Sequence, residues 1–339
     1  MKKAILAVII PSILGVSSAF AGGIDLVKTD DVSVNMNGDI DLKLYYKDKN
    51  DDDGGVGSID ANFDDLDFTF KYFVNDGLTF IAETDWTSES DKGSEINNAG
   101  AWVGAKTDYG LLRFGYQENS FDPLGIDSSE ITSAGIASGD VDGDGTSHPE
   151  SVVYEHKIDN VWISATYGYE GADKDQSRQT QIAARYIVKG LNFGGGIGQT
   201  KTWDDDGALE ADATYAQAEV DYTWTGTGFR TAALVSYLKN DVNDRELNGY
   251  EVDVSYMLTS KWKVMGGWDH IDQSMEDGAD DNDIDVIYIG TKYKFNSYAA
   301  IYAEIGTKEG SFAGFNKYDE YGEYDVDEQI AGILVDLNF

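Results

Sequence analysis

The sequence predicts an all-β protein: a 16-stranded antiparallel β-barrel that spans a membrane. Three observations predict it. Apolar and polar residues alternate with period two in segment after segment. The connections between those segments alternate between short and long. Proline, which is barred from paired strand interiors, occurs only at Pro11, Pro123 and Pro149. Beyond the leader, nearly the whole chain is therefore permitted to be sheet, apart from one segment around the last two prolines.

The chain opens as a leader. Lys2 and Lys3 precede an apolar run from Ala4 to Val16, and Ala19-Phe20-Ala21 is an A-x-A cleavage motif. The run is too short to span a membrane as a helix. Residues 1–21 are thus expected to be a signal peptide, with a mature chain over residues 22–339.

The strands follow. "GDIDLKLYY" places Ile40, Leu42, Leu44 and Tyr46 on one face and Asp39, Asp41, Lys43 and Tyr45 on the other. "DLDFTFKYFV" sets Leu66, Phe68, Phe70 and Tyr72 against Asp65, Asp67, Thr69 and Lys71. "YEVDVSYML" sets Tyr250, Val252, Val254, Tyr256 and Leu258 against Glu251, Asp253 and Ser255. A soluble sandwich also alternates, but its apolar face fills a core. Here the polar face carries charge, which is tolerable only against water. In a closed membrane barrel that water is the lumen.

Short connections fall at Asn75-Asp76-Gly77, Thr107 to Gly110, Asp159-Asn160, Lys189-Gly190, Thr225 to Gly228, Thr259 to Lys261 and Asn296-Ser297. All have tight-turn chemistry. Eight longer, mostly acidic segments separate them. Fifteen connections join sixteen strands. Aromatics crowd the short turns: Tyr222, Trp224 and Phe229 at one, Tyr256 and Trp262 at another, Tyr293, Phe295 and Tyr298 at a third. That is where an interfacial girdle belongs.

Composition narrows the function. The chain has 62 acidic and 25 basic residues and a formal net charge of −37. Phosphate binding needs a basic surface, so nucleic acid is excluded as a partner. There is no cysteine, so no disulfide staples the fold. The three histidines are His148, His156 and His270. The last two fall on lipid-facing phases or strand ends, and no Ser-His-acid spacing stands out, so no enzyme is expected.

The ends and the middle together resemble a known family. Leu337, Val335, Ile333 and Ala331 alternate back from a terminal Phe339, which is similar to the closing strand of bacterial outer-membrane barrels. In "AWVGAKTDYGLLRFGYQENSFDPLG", Trp102 to Lys106 resembles the fourth strand of the general, non-specific Gram-negative porins, Thr107 to Gly110 its turn, and Leu111 to Gln117 the fifth strand. "YKFNSYAAIYAEIG" resembles the strand, turn and strand before their last loop. The resemblance implies an outer-membrane channel for ions and small hydrophilic solutes. It also implies a homotrimer in a bilayer of outer-membrane lipid and lipopolysaccharide, with Phe339 as the signal to the barrel-assembly machinery. The third loop, here about residues 119–150, would fold into the barrel and narrow it. A loop of that length without strand pattern is usually functional.

Such a pore selects by width and by the field across its narrowest point. Acids on the loop facing bases on the wall make a transverse field. The loop-side candidates are Asp122, Asp127 and Glu130. The wall-side candidates are Lys43, Lys71, Arg113 and Arg185, each on the polar face of its strand. Gln117 ends the fifth strand, where the family often carries Arg, and the family's P-E-F-G-G loop motif has no match. Acids outnumber bases on the lumen phases, so cation preference is expected. The alternative is a substrate-specific uptake channel for a sugar or peptide on the same barrel. Tyr45, Phe73 and Trp162 are its only candidate lumen aromatics.

One motif stands apart. Residues 140–145, "DVDGDG", match the opening of an EF-hand calcium loop. Counting from Asp140, position 12 is Ser151 rather than the bidentate Glu, and "VVYEH" continues as a strand. An EF-hand is therefore not expected, and no cofactor is implied. Asp140, Asp142 and Asp144 could still supply hard oxygens for weak calcium binding, with affinity in the roughly millimolar range. A solvated acidic loop is the other reading.

Overall fold

In the computed structural model, residues 23–49, 56–88, 96–121, 123–126, 129, 131, 147–170, 176–203, 207–242, 245–274, 282–313 and 323–338 are described. The described chain is almost entirely strand. A short lead-in, Ile24–Lys28 (β1), is followed by Val32–Lys49 (β2), Val56–Asn75 (β3), Leu78–Ser88 (β4), Ile96–Thr107 (β5) and Gly110–Glu118 (β6). Next come Ser147–Ile158 (β7), Val161–Glu170 (β8), Gln176–Val188 (β9), Leu191–Trp203 (β10) and Leu209–Trp224 (β11). Phe229–Asn240 (β12), Arg245–Met257 (β13), Trp262–Ser274 (β14), Asn282–Lys294 (β15), Ala299–Ala313 (β16) and Glu323–Asn338 (β17) complete the chain.

Each strand from β2 to β17 pairs antiparallel with the next, and β17 pairs back onto β2 from Glu328↔Lys49 to Asn338↔Asp39. Sixteen strands, β2 to β17, thus close one barrel, in agreement with the fifteen connections read from the sequence. Closure removes every sheet edge, which is what lets a sheet sit in lipid. The lead-in β1 takes the rest of the same edge of β2, from Ile24↔Met36 to Lys28↔Ser33. The two ends of the chain therefore share one strand position. No helix among the described residues is long and apolar enough to cross a membrane.

Burial follows the period-two reading. On β13, Glu251, Asp253 and Ser255 are buried, whereas Tyr250, Val252, Val254 and Tyr256 stand exposed. Away from the loop ends the outward face is rich in apolar side chains: Ile289, Ile197 and Val103 are each about three-fifths exposed. Lipid contact explains such exposure. The turn-end aromatics form a girdle of edge-on contacts. Ring centroids are 4.9 Å apart for Tyr222 and Trp224, and 5.2 Å apart for Tyr293 and Phe295. At the turn between β9 and β10, Lys189 and Gly190 both take positive φ, 47° and 84°. That is the geometry a two-residue hairpin needs to match strand twist.

One expectation fails in part. The alternation predicts charge on the lumen face in strand after strand. On β12, β15 and β17 that face is largely apolar instead: Leu234 and Leu238, Ile284 and Val286, Ile330 and Leu334, all buried. The reason is a cover. Phe121, Leu124 and Ile126 pack in one cluster with Leu234 and Leu238, and Ile131 packs in a second with Ile284, Val286, Ile330 and Leu334. A wall covered by apolar side chains has no need of charge.

Candidate pore lining

The lumen face is built around a strand with few side chains. On β10 the inward positions include Gly194, Gly196 and Gly198, paired with Glu219, Gln217 and Tyr215 of β11. A Cβ on Gly196 would lie 2.8 Å from Cε2 of Phe121, and one on Gly198 would overlap the Tyr215 ring. The missing side chains make a floor on which Phe121, Tyr215 and Glu219 lie. Phe121 meets Tyr215 edge-on, with centroids 5.1 Å apart.

Ser120, Gly125 and Ser129 are fastened to inward side chains at successive strands. Ser120 is fully buried; its N–H donates to Thr166 Oγ1 at 2.8 Å and Gln181 Oε1 at 3.0 Å. Its hydroxyl lies 2.8 Å from Ser164 Oγ and 2.6 Å from Thr166 Oγ1. Gln181 in turn donates to Tyr215 Oη at 2.7 Å. Further along, the Gly125 N–H donates to Glu219 Oε2 at 2.6 Å, and Ser129 Oγ donates to Glu304 Oε1 at 2.7 Å. Buried hydrogen bonds of this kind are costly to break because their partners stay desolvated.

Arg113, Arg185 and Arg230 point inward, each in an ion pair. Arg185 Nη2 lies 2.6 Å from Glu219 Oε1. Arg113 Nη2 lies 2.5 Å from Glu155 Oε1, and its guanidinium sits 5.2 Å from the Trp102 ring centre. Arg230 bridges two acids, with Nε 2.9 Å from Asp221 Oδ2 and Nη1 3.0 Å from Asp253 Oδ2. Its Nη2 donates to the Ile126 carbonyl at 3.2 Å. One guanidinium therefore ties β11, β13 and residue 126 together, which suits its rigid fork of donors. Further carboxylates share the inward face. Asp39, Asp41 and Asp336 bring their oxygens within 4.8 Å of one another at the β2–β17 seam. Glu251 and Asp269, each 1% exposed, stand opposite one another across β13 and β14.

Residues 6–313 match the family described as Gram-negative porin. The chain belongs to the Gram-negative porin family. This porin is an outer-membrane β-barrel of a Gram-negative bacterium, a diffusion channel and not an enzyme. Its fold is similar to in-vitro folded OmpT of Vibrio cholerae, with TM-score 0.74, 21% identity, and 94% of this chain and 100% of that one covered. It is also similar to an anion-selective porin from Comamonas acidovorans (TM-score 0.73, 16% identity, 91% and 100% covered). A third solved structure, Salmonella typhi OmpF in complex with daunomycin, has TM-score 0.68 at 14% identity, with 92% of this chain and 99% of that one covered. No curated protein sequence gives a significant match.

The residues named from sequence divide as follows. Arg185 comes together with Gly125, through the oxygens of Glu219. Arg113 pairs with β7 instead. Gln117 is buried, and its amide donates to the Ser151 carbonyl at 3.4 Å. Lys43 and Lys71 occupy inward phases of β2 and β3, opposite Leu334 and Ser33. Asp122, Asp127, Glu130, Asp140, Asp142, Asp144 and Phe339 lie outside the described residues.

Sequence reasoning missed Arg230. Its neighbours on the inward face of β12 are Ala232 and Leu234, so no run of alternating charge marked that strand. The only available signal was an arginine in a strand whose two faces are otherwise largely apolar.

Proposed function

We propose that residues 119–150 form a constriction loop folded into the barrel, and that this porin passes ions and small hydrophilic solutes with cation preference. The tethers at Ser120, Gly125, Ile126 and Ser129 to inward side chains support the loop's path. Asp122, Asp127 and Glu130 fall among those tethers and would supply the loop side of the transverse field. Arg185 and Arg230 would supply its wall side, with Lys43, Lys71 and Arg113 elsewhere on the wall.

The single observation that carries cation preference is how the inward charge is paired. Arg113, Arg185 and Arg230 each have a carboxylate 2.5–3.0 Å away, which cancels their charge in the long-range sum while leaving the local field at the guanidinium. The acids at the β2–β17 seam add to those carboxylates and make the summed field negative. A negative lumen concentrates cations and repels anions.

The reversal potential of single channels in a planar bilayer under a KCl gradient tests the reading. A potential of cation-preferring sign is expected, with a conductance that does not saturate. Anion preference would overturn the charge argument, and block by one sugar or peptide would replace diffusion with a dedicated uptake channel.

A homotrimer belongs to the same proposal; the similar OmpT of Vibrio cholerae has been seen in a trimer form. So do the surrounding lipopolysaccharide and recognition of Phe339 by the barrel-assembly machinery.

A further inference from the structure

The outward wall carries a second cluster that the channel does not use. At the loop end of β14 and β15, His270, Asp283 and Asp285 share the outward face, and one ligand atom from each lies within 4.8 Å of the others. His270 and Asp285 are direct cross-strand partners, with Nδ1 3.1 Å from Oδ1. Asp283 is one outward step further towards the loop, opposite Asp272.

Two of the three side chains, His270 and Asp285, are held. Trp268 Nε1 donates to Asp285 Oδ1 at 2.8 Å. The His270 ring stacks on Trp268, with centroids 5.7 Å apart and planes 13° apart, and on Tyr250 at 6.1 Å and 28°. Hydrogen bonds and packing that orient ligand groups are what metal centres use to fix their geometry.

The local charge also asks for a cation. Asp272 faces Asp283, and Glu309 of β16 faces Asp285. Among the described residues, the outward positions of β13 to β16 carry no lysine or arginine. Among the described residues, His270 is the one basic group in a patch of four carboxylates. Just below, Ile287, Ile289 and Ile305 begin the lipid-facing belt, so the patch sits at a membrane boundary where screening by bulk water is reduced.

We propose that His270, Asp283 and Asp285 bind a first-row transition dication, zinc(II) being the best fit. An imidazole nitrogen selects such ions over calcium and magnesium, which prefer all-oxygen shells. Two carboxylates and one imidazole occupy three positions of a tetrahedral ion, and water takes the outward fourth. The cation offsets the repulsion among the four acids and pins β14 to β15 at the rim. The site is independent of ion selectivity, since it lies on the other face of the wall.

Calorimetric titration of the full chain, refolded in detergent at pH 7.5, tests it. Zinc chloride is the probe, with excess magnesium present to occupy oxygen-only sites. One zinc per chain is expected, with affinity lowered about 10- to 100-fold in His270→Ala. Asp285→Asn, which keeps the side-chain volume, should weaken binding in the same direction, and Asp142→Asn/Asp144→Asn should leave it unchanged. Heat-modifiable gel mobility reports that each variant is folded. As a second readout, copper(II) should quench the fluorescence of Trp268 in the wild type, and His270→Ala should lose that component. No zinc uptake under excess magnesium, or equal isotherms and quenching for wild type and His270→Ala, would overturn the site.

Discussion

Phe121 stands edge-on to Tyr215, with ring planes 73° apart, above a strand whose inward positions are glycine. The contact joins Phe121 to the wall at β11. It exists because Gly196 and Gly198 give the two rings room. Gly196→Val places methyl groups where the Phe121 ring lies. Overpacking of this kind costs about 1–3 kcal/mol. The variant should unfold at lower urea than wild type and show a higher single-channel conductance, because Phe121 must leave its seat. Phe121→Ala should show the same rise in conductance and a loss of about 3–5 kcal/mol. Unaltered conductance in both variants would separate residues 119–131 from the pore.

Arg230 is the next lever. Its removal leaves Asp221 and Asp253 without their guanidinium. Deleting one partner of a fully buried ion pair costs roughly 3–5 kcal/mol, and this part-buried arginine should cost less. Arg230→Ala should therefore be less stable and more cation-preferring, with the reversal potential shifted further in the cation direction.

Ionic strength should act on selectivity. The Debye length is about 10 Å at 0.1 M salt and about 3 Å at 1 M. The cation-to-anion permeability ratio should fall towards unity as KCl rises through that range. A ratio that holds constant would place the selectivity in direct ion contacts rather than in the summed field.

The lipid face makes an independent prediction. Ile289 is 64% exposed on the outward side of β15. Ile289→Arg should lower folding stability in lipid vesicles by about 2–4 kcal/mol if the position lies near the bilayer midplane, and less towards either rim. Urea-induced unfolding followed by tryptophan fluorescence measures the change.

The DVDGDG stretch calls for its own experiment. If Asp140, Asp142 and Asp144 hold calcium, Asp142→Asn/Asp144→Asn should abolish the weak heat of calcium binding. Equal heats in the variant and the wild type would leave an acidic loop and nothing more.

Much of this molecule is legible in its sequence. Period-two alternation and the spacing of turn residues determined sixteen strands, their antiparallel order and which face meets lipid. These are local properties: each strand's side chains alternate whatever its neighbour does, and each tight turn declares itself in two to four residues. Only the tertiary structure decided what lies across from what. Arg230 joins two acids and a carbonyl that lie 9, 23 and 104 residues away in sequence. His270 meets Asp285 because β14 and β15 pair in one register; a slip of one residue would send the two to opposite faces. The glycines of β10 carry no side chain, so the sequence says nothing about what will occupy the space above them. Register and long-range cover are set by the closed sheet as a whole, and no local pattern encodes them.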